Sequence, residues 1–155
     1  MSISKRFFKV NEMKSAIILL LSCHISIALA ENVAYHVWNN PIPEKAVGNP
    51  GQTCSVPKGK TFGDVMDLAA LKNPQGYGFN FTRFDFGRMI TSIGGVSQDP
   101  GNGLYWMLFQ LDDEPKPENP PTRKNLASYG VDGMIIERDD IFLFWLTNMG
   151  HASPK

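Results

Sequence analysis

The segment Gly87–Phe109, GRMITSIGGVSQDPGNGLYWMLF, decides how this chain folds. It opens with the apolar run Met89-Ile90-Thr91-Ser92-Ile93 and breaks at Gly94-Gly95. A polar stretch, Ser97 to Gly103, follows, and the chain returns as Leu104-Tyr105-Trp106-Met107-Leu108-Phe109. Two β-prone runs around a Gly/Asn/Asp/Pro cluster predict a hairpin, because Gly and Asn supply positive φ and Pro presets φ. The length of the polar insert predicts a long loop rather than a tight turn. Tyr105, Trp106 and Phe109 crowd the returning strand with more aromatic surface than a half-buried strand needs. The expectation is that Trp106 and Phe109 face outward as a ligand surface, the competing reading being that they are core.

Working outward toward the amino end, Lys5, Arg6, Lys9 and Lys14 flank the apolar runs Ala16–Leu21 and Ile25–Leu29, which end in Ala28-Leu29-Ala30. A basic flank, a short apolar core and an A-x-A site predict a signal peptide over 1–30, with translation starting at Met1 or Met13. An uninterrupted apolar core of about eight residues falls short of the roughly twenty that a spanning helix needs. The exported chain would begin at Glu31. It would carry 11 basic and 14 acidic residues, since the leader takes four of the 15 basic and one of the 15 acidic. A net charge of −3 without a basic stripe argues against nucleic acid and anionic membranes as partners. Past the domain, which is expected over 31–150, residues 151–155 read as a flexible tail.

Cys23 leaves with the leader, so Cys54 has no internal disulfide partner. It is either a small buried apolar residue or a link to a second chain, giving a Cys54-linked dimer. Asn80-Phe81-Thr82 is an N-glycosylation sequon, which fits export and places Asn80 on a surface loop.

The remaining elements follow from pattern. Glu31–Trp38 alternates as a first strand, with His36 read as facing water, and Gln52–Pro57 is a second. Thr61 as N-cap and Asp64 at the third helical position open a helix that buries Phe62, Val65, Met66 and Ala69 and stops at Asn73-Pro74. Tyr77–Phe86, with Phe79, Phe81, Phe84 and Phe86, reads as one or two strands. Asp112–Pro121 reads as a solvated, proline-stiffened loop, since its adjacent acids lack the alternating spacing of a calcium loop. Ile141–Leu146 is a last strand, apolar on both faces and hence central or doubly covered. No nucleophile elbow, phosphate loop or Cys/His metal cluster appears, so the chain reads as a binding module with no intrinsic cofactor, not an enzyme.

The order KGKTFGDVMDLA, GRMITSIGG, a polar loop, YWMLF, YGVDG and a closing strand resembles the C-terminal β-domain of the cobalamin carriers intrinsic factor, transcobalamin and haptocorrin. The likeness covers roughly 32–146 and is most specific at Gly87–Gly95 and Tyr105-Trp106. It implies an α+β fold, mostly antiparallel β-sheets with one helix, akin to a β-grasp, that closes over one side of vitamin B12. It further implies that Phe86, Gly87, Arg88, Met89 and Ile90, together with Trp106, Met107, Leu108, Phe109, Gln110 and Leu111, line the ligand. Arg88 stands where the family favours a small residue or Pro, and Met89 replaces an aromatic. The carriers' helical barrel has no counterpart here, so a separate helical-domain partner would have to supply the second wall. The expected function is extracellular binding and transport of cobalamin or a similar flat ligand. The alternative is a protein-interaction module that kept the fold and uses the same aromatic patch.

Overall fold

The computed structural model describes residues 29–46 and 51–148, so the expected tail and all of the expected leader but Leu29 and Ala30 lie outside the described residues. The elements are β1 (Ala30–Trp38), β2 (Gln52–Pro57), the helix α1 (Phe62–Lys72), β3 (Phe79–Phe84), β4 (Gly87–Ile93), β5 (Val96–Ser97), β6 (Tyr105–Leu111) and β7 (Ile141–Thr147). They build two sheets, ordered β2-β1-β7-β6 and β3-β4-β5. All pairings are antiparallel except β1 with β7. This is the expected α+β architecture.

β7 lies between β1 and β6, and Phe142 through Thr147 are all buried, as its two-sided apolar run requires. Val33, Tyr35, Val37, Phe142 and Phe144 share one core with Phe62, Val65, Met66 and Ala69 of α1. Phe62 is the hub: its ring lies 4.3 Å from Phe142 and 5.2 Å, edge-on, from Tyr35. Burying such a ring stabilises the fold by about 2–3 kcal/mol. On the sheet's other side Trp38, Phe109, Leu143 and Trp145 form a second, smaller core with Ala46.

α1 begins as its sequence demands. The Thr61 hydroxyl accepts from the Asp64 amide at 3.2 Å, and the Asp64 carboxylate accepts from the Thr61 amide at 2.8 Å. Each side chain satisfies a backbone donor that the first turn leaves without a helical partner. At the far end Pro74–Tyr77 forms a separate helical turn that the sequence did not suggest.

The segment Gly87–Phe109 folds differently from expectation. β4 and β6 do not pair; they belong to different sheets. Two tight hairpins replace the long one. Gly94 and Gly95, at φ +56° and +79°, form a two-residue turn that pairs Ile93 with Val96. Upstream, Asp85-Phe86 turn β3 back into β4. The polar stretch closes on itself: Asp99 and Leu104 exchange backbone hydrogen bonds at 2.9 Å, and the Asp99 carboxylate accepts from the Asn102 side chain at 2.6 Å. It is a crossover between sheets, anchored where Trp106 Nε1 donates to the Val96 carbonyl at 3.1 Å.

Candidate functional site

Strand alternation explains why the expected ligand surface does not exist as written. Trp106 and Phe109 are three residues apart, so their side chains leave opposite faces of β6. Trp106 enters the larger core, 7% exposed, and Phe109 the smaller one, fully buried. Ile90 is buried as well, at 5%. None of the three offers an open face to a ligand, which corrects that expectation. Met107 and Leu108 are half-buried against the two cores. The Gln110 amide is held by Asp140 at 3.1 Å. Leu111 lies at the edge of a cleft of about 570 Å³ under the Asp112–Pro121 loop.

The other half of the expected site is on the surface. Phe86 is 77% exposed and Met89 40%, and the same hairpin exposes Phe84 (43%) and Phe81 (42%). The β3–β4 register pairs Thr82 with Met89 and Phe84 with Gly87. Thr82, Phe84 and Met89 therefore point to one side. Phe86, in the turn, stacks on Phe84 with ring centroids 5.1 Å apart and planes 5° from parallel. The result is a flat apolar plate at the hairpin tip. Phe84 carries more of this surface than the strand reading of Tyr77–Phe86 assigned it, while Phe81, paired with Ile90, lies on the other side of the hairpin. The available signal was four phenylalanines in eight residues, more than one narrow sheet can hide.

The hairpin's opposite side is fixed by Arg88. Arg88 lies over the Phe79 and Phe81 rings at 5.8 and 5.7 Å, a cation–π geometry. Its Nε and Nη2 reach Asp132 Oδ1 at 2.8 and 2.6 Å, and its Nη1 reaches Asp67 at 3.1 Å. The Arg88 backbone amide adds 2.7 Å to Asp132 Oδ2. Arg88 is thus spent on pinning the hairpin to α1 and the Tyr129–Gly133 turn, and its side chain, 11% exposed, is not presented to a ligand. The hydrogen bond from Arg88, above all, holds the Asp132 carboxyl below the usual range, and the Arg88 guanidinium is held above its own. Gly87, at φ +117°, packs on Asp132, where a Cβ would touch the carboxylate at 3.0 Å. Only glycine tolerates both constraints.

Three further expectations meet the structure here. Cys54 is fully buried in the larger core, and burial pushes its thiol pKa up. It cannot reach a second chain without opening the fold, which corrects the linked dimer. His36 does not face water: its side chain is 12% exposed, with Nε2 2.8 Å from Glu114. Burial lowers the imidazole pKa against the opposing pull of Glu114. Asn80 is exposed, but on strand β3 rather than a loop. Among the described residues no group of three or more His, Cys, Asp or Glu could hold a metal ion, and no helix is long and apolar enough to cross a membrane.

This geometry has relatives. Residues 59–115, from the turn before α1 into the acidic loop, match a family described as Domain of unknown function (DUF4430). An uncharacterized Drosophila melanogaster protein, CG3556, is 29% identical over 89 residues, which are 57% of this chain and 15% of that protein. Haptocorrin, solved in complex with Cbi, superposes with a TM-score of 0.59 at 19% identity, over 80% of this chain and 27% of haptocorrin. A Ruminococcus gnavus ATCC 29149 protein, provisionally described as metal-binding, superposes with a TM-score of 0.50 at 12% identity, over 76% of this chain and 97% of that one. At these identities the likeness to the solved structures is one of fold. The chain is a small α+β domain of the two-sheet, one-helix kind. Its fold is that of the cobalamin carriers' C-terminal domain, and in the bacterial protein the same fold makes up nearly the whole molecule.

Proposed function

We propose that this chain is an exported binding domain that holds a corrinoid or similarly flat ligand against the β3–β4 hairpin tip. The observation that carries the reading is the plate itself. Phe84 and Phe86 are stacked, parallel and exposed beside Met89, on a fold shared with a protein solved holding Cbi. A corrin is a broad, partly apolar disc, which suits flat aromatic area beside an adaptable thioether. Phe86, Gly87 and Met89 keep the contact role that the family resemblance gave them. Phe84 joins them, and Trp106 and Phe109 belong to the cores. Arg88 positions the plate and does not touch the ligand.

A plate covers one side of a disc. Against the several kcal/mol that association costs, a few exposed side chains leave a Kd of about 100 µM or weaker unless a second wall closes over the ligand. Titrating the purified domain with cyanocobalamin while following the corrin absorption bands tests this directly. A saturable shift that is lost in the Phe84→Ser/Phe86→Ser variant supports the reading. No shift up to millimolar ligand, from a variant-free domain of native circular dichroism, removes it for the isolated chain.

A further inference from the structure

β3 is an outer strand: in the order β3-β4-β5 it has a neighbour on one side only. Five of its six residues are exposed, and three of the six are phenylalanine. Among the described residues no strand pairs with its free edge. A row of unpaired backbone donors and acceptors beside exposed aromatics is a template for edge-to-edge pairing, which folded proteins must block. β3 has no proline; its ladder with β4 shifts register between Asn80 and Phe81, and Arg83 is its one charged side chain. It also carries, at that irregularity, the sequon Asn80-Phe81-Thr82.

We infer that Asn80 is N-glycosylated and that the glycan guards the free edge of β3. Asn80 is exposed, and its Nδ2 donates to Ser92 Oγ at 2.8 Å across the β3–β4 pair. A primary amide has two N–H bonds. Attachment takes one and leaves the other for Ser92, so the modified side chain keeps its folded position. The glycosyl C1–O bond of a lipid-linked oligosaccharide diphosphate breaks as C1 bonds to Nδ2. The lipid diphosphate leaves, and the displaced amide proton passes to a base on the transferase. Asn80 is four residues from Phe84, about 13 Å along an extended strand. The sugar therefore covers the edge at the β3 start and leaves the hairpin tip open. This inference rests on the chain's export and is independent of any ligand at the tip.

The full chain, expressed in a eukaryotic secreting cell, should migrate as a heavier band that peptide N-glycosidase collapses. Thr82→Ala should abolish the heavier band with the Asn80–Ser92 contact intact, and Thr82→Ser should restore it. The unglycosylated Thr82→Ala protein should self-associate at a concentration at least tenfold lower than the glycosylated protein, by light scattering. An unshifted wild-type band, in medium or lysate, overturns the modification. Equal self-association of the two forms overturns the guarding role.

Discussion

Arg88 and Asp132 meet through three contacts. Two guanidinium nitrogens lie on Oδ1 at 2.8 and 2.6 Å, and a backbone amide lies on Oδ2 at 2.7 Å. One carboxylate thereby ties the hairpin strand β4 to the turn that follows the acidic loop. Breaking a partly buried, charge-assisted cluster of this kind costs about 2 kcal/mol, between an exposed pair and a sealed one. Arg88→Ala and Asp132→Ala should each lower stability by that amount in urea unfolding. The double variant should cost little more than either single one.

The same pair sets an acid limit. Asp132 has a folded pKa below its unfolded value, which is about 4. Its contribution is therefore present above the unfolded value and is lost as pH falls through the folded one. Urea midpoints measured from pH 6 down to pH 2 should fall more for the wild type than for Asp132→Asn. Parallel curves would show that the carboxylate carries no such role.

Gly63 sits where a Cβ would land on the Arg88 guanidinium and crowd Asp132 Oδ1. Alanine inside a helix normally gains about 1 kcal/mol over glycine. Here Gly63→Ala should instead destabilise by roughly 1 kcal/mol. In an Arg88→Ala background the penalty should shrink, because the guanidinium is gone and only Asp132 Oδ1 still crowds the added Cβ. A gain in both backgrounds would refute the contact.

The Tyr35 hydroxyl is fully buried, and among the described residues it has no hydrogen-bond partner. An unpaired buried hydroxyl gives up water without recompense. Tyr35→Phe should be neutral or stabilising by up to about 1 kcal/mol, read as an unchanged or raised urea midpoint. A loss above 1 kcal/mol would reveal a partner.

Cys54, at 0% exposure, should resist thiol reagents in the native protein and react at once in denaturant. Non-reducing gels should show a monomer. Trp106→Phe should cost about 2 kcal/mol, because it removes both ring volume and the donor to the Val96 carbonyl.

Local features were legible in the sequence. The Thr61–Asp64 capping box, the Asn73-Pro74 stop and the two-sided apolar run of β7 each depend on residues within a few positions of one another. The sheet assignment was not. Gly94-Gly95 and the Asp99–Gly103 cluster are both competent turns, and choosing between them depends on which strand β6 meets. That partner, β7, starts thirty residues past β6. Alternation then divided the site: Phe86, Gly87 and Met89 stayed at the surface, whereas Ile90, Trp106 and Phe109 were drawn inward. Their aromatic density marked a sheet packed on both sides, a property that the segment alone does not display. Arg88, noted as a departure from the family, is explained by Asp67 and Asp132, which lie 21 and 44 residues away.

The parallel pairing of β1 with β7 has a consequence for biogenesis. Asn32 bonds to Asp139 across 107 residues, and β1 holds only the hairpin-like contact with β2 until β7 arrives. One of the two inner strands of the larger sheet, β7, is the last of its four strands to emerge from the ribosome, so earlier segments wait with their aromatic faces uncovered. Such long-range closure slows folding. Nascent chains halted before Ile141 should stay protease-sensitive throughout, and release of β7 should convert them in one step.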